Sequence, residues 1–361
     1  MHGPSPLPAP AGLVLLACLG LGCNVGLGPL DWDGGGGPCQ DRCATEGQTV
    51  CAGPMVKVCR KGGDGCRALF LEECPGSQIC VGDVCASAPI VWTPMQSGTG
   101  AALRAAWGSS ATDVFAVGEG GTILHYDGSA WSAQDSGTSL DLNGVWGSTG
   151  SDVFAVGSGG TILHYDGASW SAQANVPAIC LGGVWGASGS EVYAFGDAGF
   201  LRYDGATWSA LATPPGYVSG FPGCGRLWGS SPTDLFGVGY LVYRFDGATW
   251  SGAVAAPVHG DGVWGSAAND VFVVGDCVHH FDGSTWNTQA RCDDWNRYGV
   301  WGSAANDVFV VGRVGGIARY DGSAWTNQNS GTKVGLLAVW GSSPAGFFAF
   351  GEAGTILRYT P

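Results

Sequence analysis

Trp107-Gly-Ser-Ser-Ala-Thr-Asp113-Val-Phe-Ala-Val-Gly118, then Gly121-Thr-Ile-Leu-His-Tyr126-Asp127-Gly128-Ser-Ala-Trp131, is a phrase that this chain repeats. Its opening tryptophan recurs at Trp146, Trp185, Trp228, Trp264, Trp301 and Trp340, at spacings of 39, 39, 43, 36, 37 and 39 residues. Six passes close on Tyr/Phe-Asp-Gly-x-x-Trp, at Trp131, Trp170, Trp208, Trp250, Trp286 and Trp325. Each pass holds four short strand-like stretches; in the second they are 142–146, 152–157, 161–165 and the run from Trp170. Gly-rich loops and Asp-Gly supply the turns, because glycine tolerates positive φ and Asp accepts from nearby backbone amides. A run such as Val-Phe-Ala-Val is apolar on both alternating sides, so both sheet faces must be covered. One pass cannot do that alone, whereas units of about 40 residues stacked around an axis can. The expectation is an all-β, seven-bladed β-propeller of four-stranded blades.

The seventh pass stops at Arg358-Tyr359-Thr-Pro361, where its fourth strand should begin. A matching piece lies upstream: Val91-Trp92-Thr-Pro-Met-Gln-Ser-Gly-Thr parallels Ala324-Trp325-Thr-Asn-Gln-Asn-Ser-Gly-Thr. The segment at Trp92 is therefore expected to complete the last blade beside 355–359, removing an open edge. Fourteen of the sixteen tryptophans then hold a repeat position; Trp32 and Trp295 do not.

The turn Tyr-Asp-Gly-Ser-Ala-Trp resembles the Asp-box of the bacterial neuraminidase (BNR) repeat propellers, though it lacks the residue between Asp and Gly. Val-Phe-Ala-Val-Gly-x-x-Gly-Thr-Ile-Leu-His is similar to the photosystem assembly-factor branch of that family. The resemblance covers 91–361. It implies the fold and little chemistry, since Asp-boxes in the family lie away from the active site.

Residues 1–22 contain one apolar run, Ala11-Gly-Leu-Val-Leu-Leu-Ala-Cys-Leu-Gly-Leu-Gly22, of signal-peptide length and short for a membrane span. Leu15-Leu-Ala-Cys18 and Leu21-Gly-Cys23 resemble bacterial lipoboxes. Cys18 or Cys23 is then the lipidated residue, ordinary signal cleavage being the alternative, and an outer-membrane or extracellular location is implied. Residues 23–38, with Gly34-Gly-Gly-Gly-Pro38, read as a flexible tether. Residues 39–86 carry Cys39, Cys43, Cys51, Cys59, Cys66, Cys74, Cys80 and Cys85, which read as four disulfides of open connectivity. Zinc is the rival, but no histidine lies between His2 and His125 and no Cys-x-x-Cys knuckles occur. In the propeller, loop positions suggest Cys180–Cys224 and Cys277–Cys292.

The net charge is −14, and Lys333 is the one lysine of 91–361, which argues against nucleic acid. Twelve of the 21 acids of 91–361 are repeat positions: one set in the Asp-Gly turns, another six residues after each opening tryptophan from Asp113 to Asp307. A base recurs before each turn aromatic (His125, His164, Arg202, Arg244, His280, Arg319, Arg358), so Asp–His/Arg pairs are expected within blades rather than metal or cofactor sites.

Irregular loops between blades, opposite the Asp-Gly turns, are where a ligand site could sit. The loop 210–226 offers Tyr217 and Phe221; Arg291-Cys-Asp-Asp-Trp-Asn-Arg-Tyr298 offers Arg291, Asp293, Asp294, Trp295, Arg297 and Tyr298. Aromatic faces beside Asp, Asn and Arg suit sugar rings. Three functions fit: a monomeric surface binding or adhesion module for glycan or envelope protein, an envelope assembly or scaffold factor, and a glycoside hydrolase or lyase. The last is poorly provided for. Outside the repeat only Arg104, Arg226, Arg291, Arg297 and Arg313 remain in the propeller, and no non-repeat Glu pairs with a Tyr.

Overall fold

The computed structural model describes residues 43–52, 54–62, 67–75, 78–81, 83–86, 91–175, 180–197, 199–217, 224–251, 260–290, 296–342 and 346–359. They belong to one compact unit, Gln40–Pro361, built almost wholly from strands. No helix among them is long and apolar enough to cross a membrane.

Each repeat forms one antiparallel sheet. In the second sheet the strands Leu142–Thr149, Asp152–Gly157, Thr161–Tyr165 and Trp170–Asn175 pair in sequence order. Asp127 shows why the turn works: its Oδ1 accepts from the Ser129 amide at 2.8 Å and the Ala130 amide at 2.9 Å, while Gly128 takes φ +94°. The fourth sheet departs from the pattern. Among the described residues it has three strands, and Trp250 contributes an isolated bridge to Phe245. The seventh sheet takes its fourth strand from upstream, with Tyr359 opposite Trp92 and Ile356 opposite Met95.

The first strands pack side by side around a common axis, and Leu336–Gly341 returns against Leu103–Ser110. Two sets of tryptophans explain the repeat. Each inner Trp lies over the glycine of the next sheet's Trp-Gly pair. A Cβ on Gly147 would come within 2.6 Å of the Trp107 ring, and one on Gly108 within 2.6 Å of Trp340, which closes the hoop. The outer tryptophans reach back instead. Trp170 meets Phe115 edge-on at 6.0 Å, Trp131 meets Phe348 at 6.0 Å, and Trp92 meets Phe309 at 5.9 Å. The Trp92 indole, 1% exposed, also donates to Gln328 Oε1 at 3.0 Å. Inner and outer apolar layers are thus shared between neighbours, as a unit that cannot cover its own faces requires.

Upstream, Thr49–Ala52, Met55–Lys61 and Arg67–Glu72 form a three-stranded sheet, and Ile79–Val81 pairs with Val84–Ala86. Three bridges hold them, Cys43–Cys59, Cys51–Cys80 and Cys74–Cys85. Cys39 and Cys66 lie outside the described residues. Such bridges belong to an oxidising compartment, and each contributes about 2–4 kcal/mol by restricting the unfolded chain. This segment docks on the sixth sheet: Asn327 Nδ2 donates to the Cys80 carbonyl at 3.0 Å and Lys333 Nζ to that of Cys74 at 3.4 Å.

Candidate functional site

The repeated charges are consumed by the frame. His125 meets Asp113 at 2.6 Å, His164 meets Asp152 at 2.6 Å, and His280 meets Asp270 at 2.6 Å. Arg202–Glu191, Arg244–Asp234 and Arg319–Asp307 do the same at 2.8, 2.6 and 2.7 Å. Each base also lies on a second-strand aromatic, as His125 stacks on Phe115 at 4.4 Å and Arg244 sits 5.0 Å over Phe236. The seventh sheet has Gly346 in place of the acid, and there Arg358 covers Phe348 and reaches the Tyr126 hydroxyl at 3.4 Å.

What repetition leaves over gathers at the loop end of the inner strands. Six first strands open with a register shift that sets one residue outside the ladder: Arg104, Asn143, Gly182, Asp261, Tyr298 and Leu337. A bulge of this kind re-aims a side chain. These residues stand three places before their inner tryptophans, a position at which the repeats disagree. The fourth sheet has no such shift at its start, and Arg226 pairs directly with Val238. Arg226 occupies a position held elsewhere by Gly or Ala, which lets neighbouring inner strands approach: a Cβ on Gly144 would lie 2.6 Å from the Gly182 carbonyl.

The rim is electrostatically connected. Arg104 donates to Asn143 Oδ1 at 2.9 Å and pairs with Glu119 at 3.0 Å and Asp141 at 3.1 Å. Buried Asn143 passes the contact on, donating to the Leu181 carbonyl at 3.2 Å. Arg226 keeps part of its surface in solvent, yet burial of the guanidinium lowers its pKa; Asp261 opposes that shift and Arg104 reinforces it. Burial likewise raises the Tyr298 phenol, with Asp261 and Glu352 adding to the shift and Arg313 opposing it. Cations, anions, an amide and a phenol from several sheets therefore face one another. The arrangement can hold a polar or charged partner group. Among the described residues no group of three or more His, Cys, Asp and Glu side chains could hold a metal ion.

Of the residues singled out from the sequence, Arg291, Asp293, Asp294, Trp295 and Phe221 lie outside the described residues, as does Cys292. Tyr298 belongs to the rim. Arg297 is buried, and its Nη1 donates to the Asp276 carbonyl at 2.8 Å. Tyr217 is half-buried: its hydroxyl donates to the Gly196 carbonyl, and its ring packs on Phe195 and Tyr243 at 6.2 and 5.7 Å. Burial, then the charge of Asp197, pushes its pKa up. Cys180 and Cys224 are bridged, with Cα atoms 5.3 Å apart. Cys277 is disulfide-bonded as well. A separate cavity of ≈ 740 Å³ between the sixth and seventh sheets is lined by Trp92, Met95, Ser97, Thr99, Ser330 and Thr332 among others.

No family model matches the chain, and no curated protein does. Solved structures are similar to it. YCF48 bound to D1 peptide shares 17% identity at a TM-score of 0.62, over 76% of this chain and 97% of that one. YCF48 from Cyanidioschyzon merolae gives 15% and 0.61, over 75% and 99%. The WD40 β-propeller domain of Doa1 gives 9% and 0.59, over 76% and 97%. At these identities the likeness is one of architecture, and the chain has a β-propeller fold.

Proposed function

We propose that this protein is an exported binding scaffold whose rim receives a segment of another envelope protein. The seven sheets are read as seven blades spanning 91–361, after a signal segment at 1–22, a tether at 23–38 and a disulfide module at 39–86. Cys18 or Cys23 is proposed to carry the lipid. The observation that carries this reading is the rim itself: Arg104, Asn143, Arg226, Asp261 and Tyr298 converge where repetition breaks down, on a frame whose repeated charges are spent. That a propeller of the same architecture is bound to a peptide supports a protein partner over a glycan.

The test is site-specific photocrosslinking of the full chain in its native envelope, with the photoreactive residue at Leu337 and, as control, at Ser129 in an Asp-Gly turn. One polypeptide captured from Leu337 but not Ser129, and lost in Arg104→Ala/Arg226→Ala, supports the proposal. Capture of equal strength from both positions overturns it. So does saturable glycan binding, or polysaccharide turnover, that the double substitution abolishes.

A further inference from the structure

The Cys180–Cys224 bridge does more than join two neighbouring sheets. Cys180 is buried before the strand Leu181–Ser188, and Cys224 is half-buried before Arg226–Ser231. Cys224 stands where four sheets have leucine as the first paired residue of the strand (Leu103, Leu142, Leu181, Leu336). Here that residue has left the ladder. It takes φ +60°, followed by Gly225 at +71°, a left-handed pair that L side chains disfavour and that leads straight into Arg226. The bridge thus fixes the backbone approach of one rim guanidinium.

It is also linked to the other, through Asn143. Asn143 Nδ2 lies 3.4 Å from Cys180 Sγ and 3.7 Å from Cys224 Sγ, while Asn143 Oδ1 accepts from Arg104. Bridge, amide and guanidinium form one chain of contacts across four sheets. Resting on the reading of the rim as the binding place, we propose that this disulfide is a redox-sensitive latch. Closed, it holds Arg104 and Arg226 in place, and Asn143 is the positioning residue that transmits its state to Arg104.

Opening requires a dithiol reductant. One thiolate attacks Sγ of Cys224, the less buried of the two residues, and the S–S bond breaks, with Cys180 leaving as a thiolate that takes a proton. The second thiol resolves the mixed disulfide, so Cys224 leaves as a thiol and the reductant ends as a disulfide. With the bridge gone, nothing covalent holds Cys224 in its left-handed conformation, and the amide loses both sulfur contacts.

The experiment follows the arginine Nε–Hε resonances of the oxidised full chain, assigned with Arg104→Lys and Arg226→Lys, alongside amide exchange over Arg226–Ser231. Cys180→Ala/Cys224→Ala should shift both arginine resonances and speed exchange at Leu227 and Trp228 about tenfold. Asn143→Ala, with the bridge intact, should shift Arg104 and leave Arg226 in place. If the double variant does not fold, dithiol titration of the natural chain with alkylation mapping gives the same readings. An Arg104 resonance that ignores bridge opening overturns the proposal, as does a bridge that stays closed when Cys51–Cys80 has opened. No partner is present, so the outcome is independent of the crosslinking result.

Discussion

At the Asp-Gly end of the ring, six sheets do nearly the same thing: an Asp caps its own turn and another acid grips a His or Arg of the same sheet. At the loop end the first strands of every sheet but the fourth present Arg, Asn, Gly, Asp, Tyr and Leu in equivalent places. One end is closed chemistry, satisfied within each sheet. The other joins groups from different sheets, so its properties belong to the ring and to no single repeat. Charge abundance alone is therefore a poor guide to function here. Twelve of the 21 carboxylates of 91–361 fill repeat positions, and the informative ones are those the repeat does not explain.

The sharpest way to break this contrast is to open the hoop on which both ends depend. Trp92→Ala removes a buried indole that ties the last sheet shut, and should cost about 3–5 kcal/mol in urea melts. A loss below 1 kcal/mol would mean that the sheets stand without closure. Next comes overpacking: Gly147→Val drives a side chain into Trp107 and should destabilise by about 1–3 kcal/mol. If the same substitution at Gly100, which has no positive φ and whose added Cβ would meet nothing within 4 Å, costs as much, the Trp-Gly contact is not responsible.

Acid should sharpen the difference between ends. A hydrogen bond from Ser129 is the largest cause holding Asp127 at about 2, below its ordinary 3.8, and Ser323 does the same for Asp321. In Asp166, Asp204 and Asp246 the leading cause is a backbone amide, from Ser169, Thr207 and Thr249. A folded pKa below the unfolded one gives stability that is complete above the unfolded value and lost as pH falls through the folded one. Thermal midpoints should therefore hold steady from pH 7 to about 5 and fall between about 4 and 2. Asp127→Asn should make that fall shallower, and an unchanged slope would remove the turns from the account. The smallest effect is expected at Arg202, paired with Glu191 on an open surface. Arg202→Ala should change stability by about 0.5 kcal/mol and leave crosslinking from Leu337 intact.

Much of the architecture was legible because it is periodic. The Trp-Gly pairs, the both-sided apolar strands and the stray strand at Trp92 each state a packing need that only a closed ring meets. The Asp–His/Arg pairs were legible for the same reason. The rim was harder. Arg104 and Arg226 look like leftovers along the chain, because what unites them is a bulge position in one sheet and the missing bulge of another. A signal was present, in the disagreement of the repeats three residues before each inner tryptophan, but loop length and aromatic content drew attention to 210–226 and 291–298 instead. Of those, Tyr217 turned out to serve packing and Tyr298 to reach the rim. Arg297 was a loop residue in the reading of the sequence; it is buried because it fills the strand position that leucine holds in other sheets.

The strand at Trp92 has a consequence for the order of events in making the protein. It is synthesised before any of the seven inner tryptophans, yet its partner, Ile356–Tyr359, is made only after every other strand of the seven sheets. Until then the final sheet lacks an outer strand, and Phe309 and Tyr359 lack the indole that covers them. Ring closure is thus a late, long-range event, of the kind that slows folding. A chaperone that shields Val91 to Met95 while the rest is made would guard the segment with the longest wait for its partner.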